Sequence, residues 1–285
     1  MSHANQQAAP ARDAGSLPLA GIRQLTVPSR FCGPSTSGNG GYTCGRIAGY
    51  LDGPVTVTLR RPVPLDTPLA VERGDDASLR LFHDRALTAE AASVAGLGTL
   101  KVPDPVALSE AHMVACGARY FWAPFFPDCF VCGMNRRPGD GLRIFPGPVP
   151  GRDLWAAPWT PHPSVAGTDG RVRPEMVWAA LDCPGGIAAA EDAGLGEDTA
   201  VVLGRMTASL TARPAPGDPC VVIAWPGGGD GRKLTAGSAL LGPGGEVLAV
   251  AWAVWVTVPR PGSSLPRAGS PLSGAGSPPP VAGAS

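Results

Sequence analysis

The sequence predicts an α+β protein built from two similar halves, each with one long helix and a largely antiparallel sheet. Two observations lead to this prediction. The segment Pro-Val-Pro-Leu-Asp at 62–66 returns as Pro-Ala-Pro-Gly-Asp at 214–218, and each copy separates two runs of β-forming residues. Upstream of each copy lies one helix-like stretch, at 40–51 in the first half and at 174–190 in the second. Because the order of elements agrees on both sides of the motif, we interpret it as an internal repeat.

Each half is predicted as a helix followed by four strands, because apolar and β-branched runs alternate with turns of Pro, Gly and polar residues. In the first half three of these runs lie at 55–59, 69–72 and 87–91. In the second half they lie at 206–210, 220–224 and 247–251, and extended segments at 141–145 and 153–157 precede the helix. A helix wrapped by the sheet needs apolar residues on most faces, and the run from Met176 to Leu181 meets that requirement.

Composition sets the boundaries of the two halves. Pro, Gly and Ser dominate the segment after residue 260, which has one charge and no aromatic residue, so it cannot bury enough apolar surface to fold. We therefore predict a disordered N-terminus at 1–19, a first domain at 20–100, a linker at 101–127, a second domain at 128–259 and a disordered tail at 260–285.

Composition also argues against several classes of protein. The formal net charge is zero, whereas a nucleic-acid-binding protein usually carries a basic surplus. No apolar run is long enough to span a bilayer, and the N-terminus lacks the basic and apolar segments of a signal peptide. The 7 cysteines are an odd and scattered set, which favours reduced thiols. We therefore expect a cytoplasmic protein with no nucleic-acid partner and no membrane partner.

An ordered set of motifs carries a resemblance to a known superfamily. The second half contains Cys129-Phe-Val-Cys-Gly133, Gly141-Leu-Arg-Ile-Phe145, Trp159-Thr-Pro161, the stretch 170–182, Gly231-Arg-Lys233 and the stretch 245–249. The first half keeps Asn39-Gly-Gly41 at the start of its helix. Over 20–100 and 128–259 the chain resembles the hotdog-fold acyl-thioesterases in their double-hotdog form. The resemblance implies two tandem hotdog domains, each a long central helix wrapped by its sheet, that together form a pseudo-dimer.

The resemblance also implies where the chemistry lies. In this superfamily the helix typically opens with His-Gly-Gly or a variant, and the N–H of the first glycine polarises the thioester carbonyl. An Asp or Glu eight residues later supplies a carboxylate, and the two groups commonly come from different subunits. The first half matches these positions with Asn39, Gly40, Gly41 and Ala48, and the second half with Arg173, Pro174, Glu175 and Asp182.

The two halves have lost complementary groups. Pro174 has no backbone N–H to donate, and Ala48 has no carboxylate. A site that combines the N–H of Gly40 with the carboxylate of Asp182 would be complete, whereas the equivalent site would have neither group. The resemblance therefore implies one catalytic pair per chain, with Gly40 as the donor and Asp182 as the base or nucleophile. The alternative is that Asp182 is an ordinary helix residue in a scaffold without activity.

Further polar residues are expected to contact the substrate. Some lie at the helix starts, others alternate on one side of the strand after the second helix, and two follow a Gly-rich turn. These last two offer positive charge to the phosphates of coenzyme A or of a phosphopantetheine carrier. Each residue also has a simpler interpretation, as a partner of the helix dipole, a polar strand face or an exposed turn. The set is Asn39, Gly41, Glu175, Arg205, Thr207, Arg232 and Lys233.

The resemblance implies a thioester hydrolase that acts on an acyl-CoA or on an acyl group held by a carrier protein. It implies no cofactor beyond the coenzyme A or phosphopantetheine of the substrate, and it is compatible with a homo-oligomer. Two alternatives stay open. A hydratase or dehydratase of the same thioesters usually carries a His near the helix, and none lies there. A non-catalytic protein that binds an acyl ligand or assembles with partners is the other, since Pro174 and Ala48 lack the catalytic groups.

One metal-binding pattern competes with this interpretation of the cysteines. His112, Cys116, Cys129 and Cys132 have the spacing of zinc ligands. However, Cys129 and Cys132 also belong to the hotdog-like opening of the second half, where paired cysteines need no metal, and the other two lie in the linker. We therefore predict no metal site.

Overall fold

A computed structural model describes residues 24–74 and 76–260. Its helices are α1 (Gly40–Ala48), α2 (Leu108–Ala115), α3 (Arg119–Trp122) and α4 (Pro174–Asp192), and two 3-10 helices span Ser29–Phe31 and Pro163–Val165. The strands before α2 are β1 (Gln24–Leu25), β2 (Val55–Leu59), β3 (Leu69–Arg73), β4 (Leu79–His83) and β5 (Ala86–Ser93). Those after α3 are β6 (Gly147–Pro148), β7 (Trp155–Trp159), β8 (Thr199–Leu210), β9 (Cys220–Asp230), β10 (Lys233–Leu241) and β11 (Val247–Pro259). The predicted disordered segments, apart from Arg260, lie outside the described residues.

These strands form one antiparallel sheet of 11 strands, in the order β1-β3-β4-β5-β2-β8-β11-β10-β9-β7-β6. The two halves of the chain meet where β2 pairs with β8, with Val55 opposite Ala208 and Thr58 opposite Arg205. Each half places one helix before four strands of this sheet, as the repeat predicted. The α+β class is therefore confirmed.

Helix α4 confirms the predicted helix at 174–190 and is buried along most of its length. Pro174 begins it, because the first helical residue needs no N–H partner. Met176, Leu181 and Ile187 are among its fully or nearly fully buried side chains. A Cβ on Gly186 would lie 2.7 Å from the Trp255 ring, so this glycine lets α4 approach β11 closely. The second half of the sheet therefore packs against a helix that is apolar on nearly every face.

Helix α1 begins at Gly40, as predicted, but ends at Ala48 instead of continuing to Leu51. The N–H of Gly49 donates to the carbonyl of Gly45 and closes the last turn, after which the chain leaves the helix. Glycine is a weak helix former, so Gly49 is a natural end point. The sequence-based boundary was three residues too long.

The two helices α1 and α4 lie antiparallel on the same face of the sheet. Gly41 is beside Trp178, while Gly45 is beside Glu175, nearer the start of α4. A Cβ on Gly45 would lie 2.6 Å from the Cα of Glu175, so the glycines of α1 set the close approach of the two helices. This packing brings the N-terminus of α1 against the middle of α4.

The segment 141–145, predicted as extended, does not join the sheet. The N–H groups of Leu142 and Ile144 donate instead to the carbonyls of Phe130 and Val131, at 2.8 and 3.0 Å. Arg143 between them has a φ of 57°, which is incompatible with strand geometry. The segment therefore covers the turn at 129–133, and the strands that precede α4 in the second half are the two-residue β6 and β7.

The segment 101–127, predicted as a linker, forms α2 and α3 and packs on the molecule. Along β9, Val222 belongs to the main core, whereas Val221 and Ile223 belong to a second cluster with Ala111 of α2. Because neighbouring residues of a strand point to opposite faces, α2 covers the face of the sheet that α1 and α4 leave open. This segment therefore adds a third layer over part of the second half.

Within residues 24–74 and 76–260, no helix combines the length and apolar character that a bilayer crossing requires.

Candidate active site at the junction of α1 and α4

The N-terminus of α1 forms the first part of the site. Asn39 caps the helix, and its Oδ1 accepts a hydrogen bond from the N–H of Tyr42 at 2.9 Å. The first N–H groups of a helix have no partner within the helix and sit at the positive end of its dipole. An acceptor placed here is therefore held by preorganised donors.

That acceptor is Asp182, from the middle of α4. The N–H of Gly41 donates to its Oδ2 at 2.7 Å, and Nδ2 of Asn39 donates to the same oxygen at 2.9 Å. The structure thus brings together the helix start of the first half and the carboxylate of the second half. This is the pair of elements that the sequence analysis combined, although the contact uses the N–H of Gly41 and not that of Gly40.

Gly40 itself remains available as a donor. Its N–H donates to no acceptor within the described ranges. Leu203 of β8 packs on this glycine, since a Cβ added to Gly40 would lie 2.7 Å from the Cβ of Leu203. The predicted donor therefore belongs to the residue before the N–H that holds the carboxylate, and Leu203 packs against its Cα.

Asp182 is only 2 % exposed, and its Oδ1 has no hydrogen-bond partner among the described residues. Burial raises the pKa of this carboxyl group to about 7, against the N–H of Gly41, which lowers it. The charge of Cys129 raises this pKa further, and the amide of Asn39 lowers it. A carboxyl group whose pKa lies near neutrality is suited to exchange a proton at physiological pH.

Three thiols adjoin this pair. The Sγ atoms of Cys129, Cys132 and Cys183 all lie within 4.8 Å of one another, and those of Cys129 and Cys183 are 3.6 Å apart. Nδ2 of Asn39 is 3.8 Å from the sulfurs of both Cys129 and Cys183. Sequence reasoning missed this cluster, because it weighed Cys129 and Cys132 with His112 and Cys116. The available signal was Cys183, the neighbour of Asp182.

The thiols differ in their acidity. Hydrogen bonds from Cys132 and Cys183 hold the pKa of Cys129 well below its usual value, with help from the backbone N–H groups of Cys132 and Val131 and against the effect of burial. The pKa values of Cys132 and Cys183 are raised well above their usual range, first of all by their hydrogen bonds with Cys129.

Glu175 lies away from this pair, about 10 Å along α4 at 1.5 Å per residue. It is beside Gly45 of α1, and its Oε1 lies 3.5 Å from Nε of Arg173. The structure does not bring Glu175 together with Asp182. Its position in the first turn of α4 fits the simpler interpretation, in which it complements the helix dipole.

Arg205 and Thr207 share one side of β8, as predicted, but it is the side that faces away from α1 and α4. Buried Met206 between them packs in the main core. Oγ1 of Thr207 is 2.7 Å from Oγ1 of Thr56, and Nε of Arg205 donates to Oγ1 of Thr58 at 2.9 Å. These contacts join β8 to β2 on the outer face of the sheet, and alternation alone could not say which face was which.

Arg232 and Lys233 lie at the turn between β9 and β10. The guanidinium group of Arg232 donates to the carbonyl of Thr257 at 2.9 Å, and Lys233 is exposed. Further along β10, Oγ of Ser238 donates to the carbonyl of Leu181 at 2.8 Å. At about 3.4 Å per residue, Lys233 is about 17 Å along the strand from the part of β10 that contacts α4 beside the site.

The fold is similar to that of solved thioesterase structures. The chain is similar to the acyl-CoA thioesterase II TesB2 of Mycobacterium marinum, with a TM-score of 0.54 and 12% identity over 84% of this chain and 94% of the other.

Two further structures agree. A protein of Thermobifida fusca provisionally assigned as a thioesterase II gives a TM-score of 0.53 at 14% identity, over 86% of this chain and 96% of the other. A provisionally assigned thioesterase of Novosphingobium aromaticivorans gives 0.51 at 14% identity, over 87% and 99%. No family model and no curated protein matches the sequence. The predicted resemblance to the hotdog-fold thioesterases is thus confirmed at the level of the fold.

Proposed function

We propose that this protein is an acyl-thioester hydrolase with one composite active site between its two halves. The observation that carries the proposal is the contact of Asp182 with the N-terminus of α1. In this view the two halves are tandem hotdog domains that form a pseudo-dimer, whose domains pair through β2 and β8 and through α1 and α4. The complementary losses at Pro174 and Ala48 leave the other end of the helix pair without a site.

The chemistry follows from the donors and acceptors present. Oδ2 of Asp182 is held by Gly41 and Asn39, which leaves Oδ1 to accept a proton from water. The oxygen of that water forms a bond to the thioester carbon, while the N–H of Gly40 donates to the carbonyl oxygen as it gains negative charge. The C–S bond then breaks, and the departing sulfur takes the proton that Asp182 had accepted. The products are a carboxylic acid and a free thiol.

Substrate access requires a local movement. Asp182 is 2 % exposed and Leu203, which covers Gly40, is 8 % exposed, so a thioester carbonyl reaches this pair only when the apolar cover shifts. A buried site suits an apolar acyl group, whose transfer from water favours binding. The carrier part of the substrate, coenzyme A or phosphopantetheine on a carrier protein, is proposed to lie toward solvent, where Arg232 and Lys233 offer positive charge.

We also propose a cytoplasmic location, an acyl-CoA or acyl carrier protein as the partner, and no cofactor beyond the substrate's own. The proposal is compatible with a homo-oligomer. The hydratase alternative has less support, because His83, His112 and His162, the described histidines, lie on β4, on α2 and before the second 3-10 helix rather than at the site.

One observation favours a second candidate function, a non-catalytic protein that binds an acyl ligand. It is the burial of Asp182, which a structural carboxyl group would share. The two functions differ in whether the thioester bond is broken.

Thiol release from a panel of acyl-CoAs, incubated with the full-length protein, is expected to identify hydrolysed substrates, with medium and aromatic acyl groups ahead of acetyl because the site is apolar. Ellman's reagent would be the readout, with the substrate in large excess over the protein's own cysteines. Tight acyl-CoA binding in calorimetry without any thiol release would favour the non-catalytic alternative.

Ala48→Asp is expected to give no gain in thioesterase activity, because the equivalent donor position is Pro174, which lacks an N–H. The substitution should also lower the free energy of unfolding by about 2 kcal/mol or more, since Ala48 is buried and a carboxylate there would lose its hydration. Ala48→Asn introduces a side chain of the same size without the charge. Urea unfolding of both variants therefore separates the effect of size from that of charge. A clear rise in turnover in Ala48→Asp would mean that a second functional site exists.

A further inference from the structure

The cluster of Cys129, Cys132 and Cys183 has no role in the hydrolysis described above. Its members come from two distant parts of the chain, the turn at 129–133 and helix α4. Cys129 and Cys132 are buried, and Cys183 is half-buried. Three free thiols packed against one another gain little, because a thiol is a weak donor and a weak acceptor. The arrangement therefore calls for another explanation.

The spacing of the sulfurs fits a metal ion. Zinc–thiolate bonds of about 2.3 Å in a tetrahedral site place the ligand sulfurs about 3.8 Å apart. The sulfurs of Cys129 and Cys183 are already 3.6 Å apart, and that of Cys132 lies within 4.8 Å of both. Binding an ion would need only small side-chain movements.

The turn that carries two of the cysteines is tightly closed. The N–H of Gly133 donates to the carbonyl of Cys129 at 2.9 Å, and a Cβ on Gly133 would lie 2.6 Å from the nitrogen of Cys129, so only glycine fits there. The closed turn therefore fixes the backbone that carries Cys129 and Cys132.

A hydrogen-bond donor near these sulfurs comes from the first half of the chain. Nδ2 of Asn39 lies 3.8 Å from the sulfurs of Cys129 and Cys183. The amide cannot itself be a ligand through Oδ1, because that oxygen accepts the N–H of Tyr42. Asn39 would therefore stabilise two thiolates from outside the coordination sphere.

We propose that Cys129, Cys132 and Cys183 bind one zinc ion, which fastens the turn at 129–133 to helix α4. With three protein ligands, the fourth position of the tetrahedral zinc ion would hold water. The thiols lose their protons on binding, so the affinity for zinc rises with pH. Sequence reasoning predicted no metal because it considered Cys116 and His112, and Cys116 is exposed at the end of α2, where it donates to the carbonyl of His112. The zinc proposal is independent of the thioesterase proposal and gives the ion no part in hydrolysis.

Metal content tests the proposal directly. Untagged full-length protein, purified without chelators, is expected to contain one equivalent of zinc per chain by plasma mass spectrometry. Replacing zinc with Co²⁺ should give the thiolate-to-cobalt charge-transfer absorption and the strong visible bands of a tetrahedral site. Cys183→Ser should weaken zinc binding by more than the about 10- to 100-fold that loss of an outer hydrogen bond costs. Cys116→Ser is the matched control and should bind as the wild type does.

Several outcomes would overturn the zinc site. They are a folded wild type that stays metal-free after reconstitution with Zn²⁺ or Co²⁺, a Co²⁺ complex without thiolate charge transfer, or Cys183→Ser with wild-type affinity. If Cys183→Ser does not fold, competition between the wild type and a coloured chelator gives the affinity, and the cobalt spectrum reports the thiolates. A disulfide between two of the three cysteines in freshly purified protein would equally contradict the proposal.

Discussion

Asp182→Asn is expected to lower kcat for thioester hydrolysis by about a hundredfold to ten-thousandfold, the usual contribution of a general base. The amide keeps the shape of the carboxylate and one oxygen for the N–H of Gly41, so the fold should be retained. What it loses is the ability of Oδ1 to accept a proton from water. The measurement is steady-state thiol release with the best acyl-CoA of the panel, together with thermal unfolding to show that the variant is folded.

Glu175→Gln is the matched control, since it removes a carboxylate from the same helix two turns away. It should leave kcat nearly unchanged, because Glu175 contacts Arg173 and not the site. If Asp182→Asn hydrolyses the same thioester as fast as an active wild type, the chemistry lies elsewhere and the composite site is wrong.

Gly41→Ala is expected to lower the free energy of unfolding by about 3 kcal/mol or more, because the added methyl group has no space. Its Cβ would lie 2.6 Å from the carbonyl oxygen of Trp178 and still closer to the Cβ of Asp182. The helices α1 and α4 would have to separate, which also breaks the hydrogen bond from Gly41 to the carboxylate. Urea unfolding followed by circular dichroism measures the loss.

Gly49→Ala, at the residue that follows the end of α1, provides the comparison. Gly49 has helical φ, and a Cβ there would meet its nearest neighbour, the carbonyl oxygen of Gly45, at 3.6 Å, an ordinary contact. This variant should be neutral or more stable by about 0.4 to 1 kcal/mol, because alanine restricts the unfolded chain. Equal stability of Gly41→Ala and the wild type would show that α1 and α4 are not packed as closely as described.

The parts of the fold that were predictable are those that local sequence patterns determine. The repeated proline motif and its flanking β-forming runs predicted one helix and four strands in each half, and Pro174 marked the start of α4. The end of α1 was misplaced, because Gly49 is followed by residues that are themselves compatible with a helix. The packing role of 101–127 was not predictable, since α2 has no counterpart in the repeat.

The candidate site was predictable where a residue type excludes a chemical role. Pro174 has no N–H and Ala48 has no carboxylate, so the pairing of Asp182 with the start of α1 followed from the resemblance to the hotdog-fold thioesterases. The side of β8 that carries Arg205 and Thr207 was not predictable, because alternation groups residues without naming a face. The thiol cluster was not predicted for a different reason. Cys183 meets Cys129 and Cys132 only through tertiary packing, and the spacing of residues along the chain gives no information on that packing.

Because α1 and α4 belong to one polypeptide, the number of ligand molecules bound per chain can be predicted. When two identical subunits pair about a two-fold axis, every contact occurs twice, so such a dimer has either two equivalent sites or none. In the proposed pseudo-dimer the positions equivalent to Gly40 and Asp182 are Pro174 and Ala48, so the two sites would differ in sequence. A ligand that binds at the junction should therefore saturate at one molecule per chain, with a simple hyperbolic isotherm and no interaction between paired sites.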